Sequence, residues 1–241
     1  MATTDFTKKE AVRIVTSAAK DYQEILSGMN YLFIYRERSD NSVRFFETVF
    51  LPRNFQHLTG LELLDGDGSI VKKPLLFYER CLNSKLSEDD IAFRSDGTTR
   101  FKLEALPRIV NFISSSKMTG LYNGIRPLLA VDRLAGTTNF CLGFTQDGDY
   151  YVPSSCLLED IRKLAEKPSQ VLAVMSKKSD EAIYKNIRYV AKGLPFDRIK
   201  LQSELEEIID RSGFIKRSPA PAASSATYDE DTTVNGQQNE K

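Results

Sequence analysis

Apolar residues between Thr7 and Met29 recur every three or four positions, which is the spacing of one face of an α-helix. The apolar residues of this face are Ala11, Val12, Ile14, Val15, Ala18, Ala19, Tyr22, Ile25, Leu26 and Met29. Most of the positions between them carry polar or charged residues. The pattern predicts an amphipathic helix that packs on a core through its apolar face.

After this helix, the pattern changes to short runs of aromatic and branched residues, which are typical of strands. Residues 30–38 and 43–50 are two such runs, and the turn-forming residues 39–42 separate them. They predict a β-hairpin. A second hairpin is predicted over residues 139–153, because residues 147–149 (Asp-Gly-Asp) provide a tight turn between two apolar runs.

Pro52 suits the first turn of a helix and Gly60 suits its end, so residues 52–60 are predicted to form about two helical turns. Further helices are predicted in residues 74–86, 103–115, 157–167 and 197–214, and further strands in residues 124–134 and 170–178. Helices and hairpins without a regular strand-helix-strand alternation favour an α+β fold over a doubly wound parallel sheet.

The end of the chain differs in composition from the rest. Residues 216–241 are rich in Ser, Ala, Pro, Thr and Gln and contain almost no large apolar residue. Such a segment does not bury enough apolar surface to offset the entropy of ordering. The predicted organisation is one α+β domain over residues 1–215 and a disordered, low-complexity tail over residues 216–241.

Composition limits the classes of protein. The chain has 241 residues and is 41% hydrophobic, which allows a substantial core. Its 33 basic and 33 acidic side chains give no net charge, so any nucleic-acid binding is expected to be local. Cys81, Cys141 and Cys156 form no metal-binding or disulfide pattern, and no apolar run is long enough to span a membrane. We therefore expect a cytoplasmic protein that uses no metal and no cofactor.

His57 is the one histidine in the sequence. On a helix it shares a face with Arg53, whereas Leu51, Phe55 and Leu58 cluster on the other face. A neighbouring cation lowers the pKa of a histidine, and a phosphate bound between the two would raise it again. This arrangement suits proton transfer at a phosphodiester. The alternative is an ordinary histidine on the surface of a short helix.

Other segments offer polar groups at turns and strand ends. The loop in residues 134–140 can direct backbone N–H groups and side chains at an anion, although its residues are also ordinary turn formers. Tyr151 can stack on a base, and Glu47 is a carboxylate that could reach His57. Candidate substrate contacts from these segments are Thr138, Asn139, Tyr151 and Ser176, and Lys177 is a candidate catalytic residue beside His57 and Arg53. Candidate groove-lining cations are Arg100, Lys117, Arg126 and Arg133. No phosphate-binding loop, dinucleotide fingerprint, serine-hydrolase elbow or zinc motif is present.

Four segments, residues 30–63, 96–112, 132–164 and 171–193, carry a resemblance to a known family. Together they resemble the phage-associated nuclease-like proteins of the barnase, EndoU, colicin and RelE (BECR) fold group, in a branch found on bacterial chromosomes and mobile elements. The resemblance spans about residues 8 to 195. It implies a barnase-like core in which N-terminal helices pack on a mainly antiparallel sheet, with helical additions.

The resemblance also implies an activity, which is metal-independent cleavage of RNA through attack of the ribose 2′-hydroxyl on the adjacent phosphate. It gives the acid/base role to His57 and phosphate contacts to Arg53 and Lys177. It gives hydrogen-bonding roles to Thr59, Thr138 and Asn139, and base stacking to Tyr151. The implied partners are RNA, including tRNA, and a protein inhibitor, and the implied role is that of a toxin or phage effector. The alternative is a module of the same fold that binds RNA or protein without catalysis.

Overall fold

A computed structural model of the chain describes residues 6–125, 127 and 129–215. The predicted tail, residues 216–241, lies outside the described residues. The helices are α1 (Lys8–Asp21), α2 (Phe55–Thr59), α3 (Pro74–Leu82), α4 (Thr98–Ala105), α5 (Phe112–Ser115), α6 (Ile161–Leu164), α7 (Ser203–Ile208) and α8 (Ser212–Ile215). The strands are β1 (Met29–Arg36), β2 (Val43–Val49), β3 (Leu61–Leu63), β4 (Ile91–Phe93), β5 (Met118–Tyr122), β6 (Arg133–Gly136), β7 (Cys141–Asp147), β8 (Tyr150–Leu157), β9 (Ala165–Lys178) and β10 (Asn186–Val190). No helix within the described ranges combines the length and apolarity needed to cross a bilayer.

Seven of the strands close into a barrel. Their order around the ring is β1, β2, β8, β7, β6, β5 and β9, and β9 pairs again with β1. The pairs are antiparallel except for β2 and β8, which meet in parallel at Thr48 and Tyr151. One edge of β9 pairs with β1, and its other edge pairs first with β5 and then with β10. Because β9 is 14 residues long, it can pair with all three strands, and it thereby joins the two ends of the sheet.

The predicted fold class is wrong. The chain forms a closed, mixed β-barrel with few helices rather than an α+β arrangement of N-terminal helices on a mainly antiparallel sheet. Register shifts at Ile34/Tyr35 in β1 and at Thr119/Leu121 in β5 mark bulges, which increase strand twist and sheet curvature. The contact that closes the barrel joins β2 to β8, two strands far apart in sequence. A local pattern of apolar residues does not predict such a pairing.

Most local elements of the first half agree with the sequence pattern. The apolar stripe forms α1 and a π-helical turn, Tyr22–Leu26, and the first predicted hairpin is the antiparallel β1–β2 pair. Residues 52–60 form a 3₁₀ turn (Pro52–Asn54) and α2, which ends at Gly60 in the left-handed conformation. The second predicted hairpin is the β7–β8 pair.

The later elements agree less well. Of the strand predicted in residues 124–134, the structure has only the start of β6. The helix predicted in residues 157–167 is limited to α6, because Ala165 begins β9. The final predicted helix is broken, since Ile209 leaves α7 in an extended conformation and makes a bridge to Tyr184. In the two helices, pairing with a distant strand or segment overrides the local helical pattern.

Strand β1 is buried on both faces, which explains its continuous apolar run. Phe33 and Tyr35 belong to the main core, where the Phe33 ring stacks on Phe46 with 4.9 Å between the ring centres. Leu32 and Ile34 point the other way, because side chains alternate along a strand. They join a second core that the C-terminal segment completes, with members such as Phe196, Leu205 and Phe214.

Candidate functional site

A cavity of about 240 Å³ lies where β1 and β5 end and where β2, β6 and β9 begin. We call it the mouth cavity. Strand ends from five parts of the chain meet there, so its walls belong to the barrel itself. Its lining residues are Tyr35, Glu37, Ser39, Arg44, Gly120, Leu121, Arg133, Glu166, Lys167 and Ser169.

Arg133, the first residue of β6, lies among three aromatic rings. Its guanidinium carbon is 4.9 Å from the ring centre of Phe46, 5.3 Å from that of Tyr35 and 5.5 Å from that of Tyr151. These distances are within the range of cation–π contacts. Arg133 forms no ion pair with any described residue, and its Nε is buried without a hydrogen-bond partner there. A guanidinium with unused donors in a cavity is suited to binding an anion such as phosphate.

Glu37, which directly follows β1, is the half-buried carboxylate of the mouth cavity. Its Oε1 accepts hydrogen bonds from the backbone N–H of Arg38 (2.9 Å) and from the hydroxyl of Ser169 (3.1 Å). Ser169 is itself buried and accepts a hydrogen bond from the same Arg38 N–H (3.1 Å). These contacts fix one oxygen of Glu37. Its other oxygen accepts no hydrogen bond from the described residues, so it has room for a hydrogen bond from a ligand.

The wall of the mouth cavity between β5 and β9 includes a residue with an uncommon backbone conformation. Lys167 has a φ of 38°, a conformation that residues other than glycine rarely adopt. Opposite it, a Cβ on Gly120 would lie 3.0 Å from the Cβ of Ala165 and 3.1 Å from the carbonyl oxygen of Glu166. Gly120 thus allows the two strands to approach closely, and residues with uncommon backbone conformations often occur at functional sites.

His57 lies on α2 with an exposed side chain. Partial desolvation of its ring, followed by the nearby charges of Lys102 and Arg94, lowers the pKa of His57, and Glu62 opposes this effect. Arg94 and Glu62 form an ion pair of 3.0 Å. The Nζ of Lys102 donates a hydrogen bond of 2.5 Å to the backbone oxygen of His57. The cations near the histidine are therefore Lys102 and Arg94, whereas the sequence pattern placed Arg53 beside it.

Arg53 points elsewhere. It lies in the 3₁₀ turn before α2, and its guanidinium forms an ion pair of 2.7 Å with Asp147 in the β7–β8 hairpin. The change from a 3₁₀ turn to an α-helix falls between Arg53 and His57, so the α-helical spacing used to place them on one face does not apply across it. Glu47, the carboxylate considered as a partner of His57, accepts a hydrogen bond of 2.6 Å from the hydroxyl of Tyr184.

The three predicted hydrogen-bonding residues lie at the end of α2 and in the turn between β6 and β7. The buried hydroxyl of Thr59 donates to the backbone oxygen of Gln56 (2.8 Å) and accepts from the N–H of Leu61 (3.1 Å), which ends α2. Thr138 and Asn139 are exposed in the turn between β6 and β7. The side-chain oxygen of Asn139 accepts a hydrogen bond from a neighbouring turn hydroxyl.

Ser176 and Lys177, near the end of β9, also have protein partners. The buried hydroxyl of Ser176 accepts a hydrogen bond of 2.8 Å from the Nε of Arg188. The Nζ of Lys177 donates to the backbone oxygen of Ala182 (3.1 Å) and lies 4.6 Å from the ring centre of Tyr184. Neither residue lines the mouth cavity.

Of the predicted site residues, Tyr151 is the one that the structure places beside Arg133. Within the described part of the chain, no hydrogen bond or ion pair joins the side chains of His57, Arg53 and Lys177. The sequence indicated Arg133 only as a groove-lining cation, and it gave no signal for Glu37 or Ser169. Arg126, another predicted groove cation, lies outside the described residues.

The described residues include no group of three or more His, Cys, Asp and Glu side chains placed to hold a metal ion. The mouth cavity instead combines two arginines, a lysine and two glutamates on a closed barrel, and of the glutamates Glu37 is half-buried and Glu166 is exposed. Proteins with such cavities bind anionic ligands through charge-assisted hydrogen bonds.

Comparison with protein families identifies the class. The family model for phage-Barnase-EndoU-ColicinE5/D-RelE like nuclease4 (PBECR4) matches residues 14–193. The chain belongs to this nuclease family, which confirms the resemblance noted in its sequence. Every lining residue of the mouth cavity falls within the matched segment. Comparisons with curated proteins and with solved structures give no match.

Proposed function

We propose that this nuclease cleaves RNA in the mouth cavity, without a metal, by transferring the phosphodiester to the neighbouring ribose 2′-hydroxyl. One observation carries the proposal. Arg133 has no carboxylate partner among the described residues and lines the same cavity as Glu37, whose Oε2 is unused. A cation for the phosphate and a base for the hydroxyl are the two groups that this reaction needs first.

In the proposed reaction, Glu37 takes the proton of the 2′-hydroxyl through its unused oxygen. The 2′-oxygen attacks phosphorus, and the bond from phosphorus to the 5′-oxygen breaks, which gives a 2′,3′-cyclic phosphate. Arg133 holds the charge that develops on the phosphate oxygens. The ammonium group of Lys167 gives a proton to the departing 5′-oxygen. Hydrogen bonds from Arg38 and Ser169 keep the carboxylate of Glu37 in place.

Two charged side chains of the cavity, Arg44 and Glu166, are exposed to solvent, and only Arg44 suits contact with phosphate. Arg44 is exposed and forms an ion pair of 2.7 Å with Asp40, so it can attract the sugar-phosphate backbone without belonging to the reacting centre. The cavity of about 240 Å³ holds roughly eight water-sized groups, which is enough for a phosphate and part of its ribose.

The catalytic roles of His57, Arg53 and Lys177 stay predictions, and one experiment compares both sites. Purified protein is incubated with total RNA and with tRNA in excess chelator, beside Arg133→Ala, Glu37→Gln and His57→Ala. We expect cleavage to leave 2′,3′-cyclic phosphate ends. Loss of the base or of the phosphate contact is expected to slow cleavage by about 100-fold or more. His57→Ala is expected to retain activity.

Matched controls are available on exposed surfaces. Arg108→Ala and Glu24→Gln make the same chemical changes at exposed positions outside the mouth cavity, and we expect wild-type rates. If His57→Ala loses cleavage while Arg133→Ala and Glu37→Gln keep it, His57 is the catalytic residue and the mouth cavity is not the active site. Salt-sensitive RNA binding without any cleavage would instead identify the protein as a non-catalytic binding module.

The biological role is a further part of this proposal. A toxin or phage effector that cuts cellular RNA acts in the cytoplasm, so induced expression in bacteria is expected to stop growth and to shorten RNA. Arg133→Ala is expected to restore growth at the same protein level. Growth arrest that persists in Arg133→Ala would show that toxicity does not depend on the mouth cavity.

A further inference from the structure

A second cavity, of about 300 Å³, lies between α4, β8 and the residues that precede β6. It shares no lining residue with the mouth cavity. Most of its wall is apolar, with side chains from Phe101 on α4, Pro127 and Leu129 before β6, and Leu157 and Leu158 at the end of β8. A concave, mainly apolar wall with a few polar groups is the usual form of a small-molecule site.

Phe101 is an exposed part of this wall, with 61% of its surface accessible. Its one described ring contact is with the guanidinium of Arg100, whose central carbon is 5.7 Å from the ring centre. The fold therefore gains little from a phenylalanine at this position. A large aromatic residue at the rim of an apolar cavity is typical of a surface that contacts a ligand.

Two polar groups of the cavity have unused hydrogen-bonding capacity. Lys102 donates one hydrogen bond, to the backbone oxygen of His57, and has no ion pair with the described residues. Ser155 is 6% exposed, and its hydroxyl has no hydrogen-bond partner in the described part of the chain. Ser155 lines the cavity, so its hydroxyl can donate a hydrogen bond to a ligand that carries an acceptor.

Glu159 also lines this cavity, and its charge has to be considered. Its carboxylate is exposed and lies 3.9 Å from the ammonium group of Lys163, one helical turn further along the chain. The thiol of Cys156 is buried and donates to the backbone oxygen of Leu58 (3.3 Å). Thr98 also lines the cavity, and its hydroxyl donates to the carboxylate of Asp96 (2.7 Å). The side-chain donors left for a ligand are therefore the ammonium group of Lys102 and the hydroxyl of Ser155, and both favour an anionic acceptor.

We propose that this cavity binds a small amphipathic carboxylate, with its hydrocarbon part against Phe101, Leu157 and Leu158 and its carboxylate on Lys102 and Ser155. The volume corresponds to roughly ten water-sized groups, which is about the size of a medium-chain fatty acid such as octanoate. The cavity shares no lining residue with the mouth cavity, so ligand binding can be measured apart from the RNA cleavage proposed there.

The test uses octanoate and octan-1-ol, which have similar hydrocarbon chains and differ in charge. Each is titrated into isotope-labelled protein, and amide chemical shifts are followed by NMR. We expect saturable shifts around Ser155, Leu157 and Phe101, with octanoate bound at least about tenfold more tightly than octan-1-ol. Absence of shifts at these residues, or equal affinity for the two compounds, would overturn the proposal.

Two variants test the polar contacts of Lys102 and Ser155 one at a time, and a third is a control. Lys102→Met is expected to lower octanoate affinity about tenfold and to leave octan-1-ol binding unchanged. Lys85→Met, which changes an exposed lysine that does not line the cavity, is the matched control. If Lys102→Met does not fold, Ser155→Ala gives the second test, because loss of its hydroxyl is expected to weaken octanoate binding and keep the fold. Unchanged octanoate affinity in the variant tested would contradict the assignment of its side chain.

Discussion

The guanidinium carbon of Arg133 lies 4.9 Å from the centre of the Phe46 ring, so a cation from β6 is held against an aromatic side chain of β2. Tyr151 of β8 lies on the same guanidinium at 5.5 Å. Strands β2 and β8 pair at a single position, Thr48 with Tyr151. The cluster of Arg133, Phe46 and Tyr151 therefore packs the inside of the barrel where its hydrogen-bonded closure is weakest.

Arg133→Met is expected to keep the fold while it removes the proposed phosphate contact. Lost cation–π contacts of about 0.5–1 kcal/mol each are partly offset, because a buried nitrogen without a partner is removed. We expect the free energy of unfolding to fall by less than about 2 kcal/mol, as measured by urea denaturation. A much larger loss would make Arg133 a structural residue and would undermine its use as a probe of catalysis.

Thr48 and Thr119 are both fully buried, yet their hydroxyls differ. The hydroxyl of Thr48 has no hydrogen-bond partner among the described residues, whereas that of Thr119 donates to the backbone oxygen of Leu134 (2.8 Å). Valine has the same shape without the polar atom. We expect Thr48→Val to raise the free energy of unfolding by about 1 kcal/mol and Thr119→Val to lower it by about the same amount. Thermal denaturation of both variants checks the opposite signs.

Gly136 ends β6 where the chain turns tightly into β7. A Cβ there would collide with the carbonyl oxygen of Phe140 and would lie 2.6 Å from the Cα of Cys141. We expect Gly136→Ala to cost about 3 kcal/mol or more of unfolding free energy. Gly148 also has a positive φ, 64°, but has open space around its Cα, so Gly148→Ala is expected to cost only about 1 kcal/mol. Equal losses in denaturant melts would contradict this reading of Gly136.

The pKa of His57 is lowered in the folded protein, first by burial and then by Lys102 and Arg94. The unfolded chain therefore binds the proton more readily, and folding stability falls as the pH drops below the ordinary histidine value of 6.5. The loss is complete once the pH is below the folded pKa. We expect the stability of the wild type relative to His57→Gln to decrease between pH 7.5 and pH 5.5, as measured by denaturation at each pH. A pH-independent difference would show that the imidazole has no lowered pKa.

Arg53 and Asp147 form an exposed ion pair between the start of α2 and the β7–β8 hairpin, with exposed side-chain fractions of 59% and 48%. Exposed pairs contribute little, because water and salt screen the charges. A double-mutant cycle with Arg53→Ala and Asp147→Ala is expected to give a coupling energy below about 1 kcal/mol that falls with added salt. A coupling of several kcal/mol would indicate that this pair is a main contact holding α2 to the hairpin.

Some residues in and beside the mouth cavity could be predicted from the sequence, and others could not. Tyr151 could be predicted as a candidate, because it follows a recognisable hairpin turn. Glu37 and Ser169 are 132 residues apart, and each looks like an ordinary polar residue at the end of an apolar run. They become one unit only because β9 lies beside β1 in the barrel. His57 is a candidate because it is the one histidine in the sequence, but this does not predict which side chains surround it.

The sequence by itself determined the amphipathic first helix, the β1–β2 and β7–β8 hairpins, the helical turn that Gly60 ends, and membership of a nuclease family. Each of these depends on residues close together in the chain or on the family pattern. Only the tertiary structure decided that the strands close into a barrel and that Arg133, Glu37 and Ser169 line one cavity. The physical reason is that the barrel and the cavity depend on pairing between strands that are distant in sequence. Strand β9 pairs through both of its edges. A local pattern of apolar and polar residues does not determine which distant strands pair.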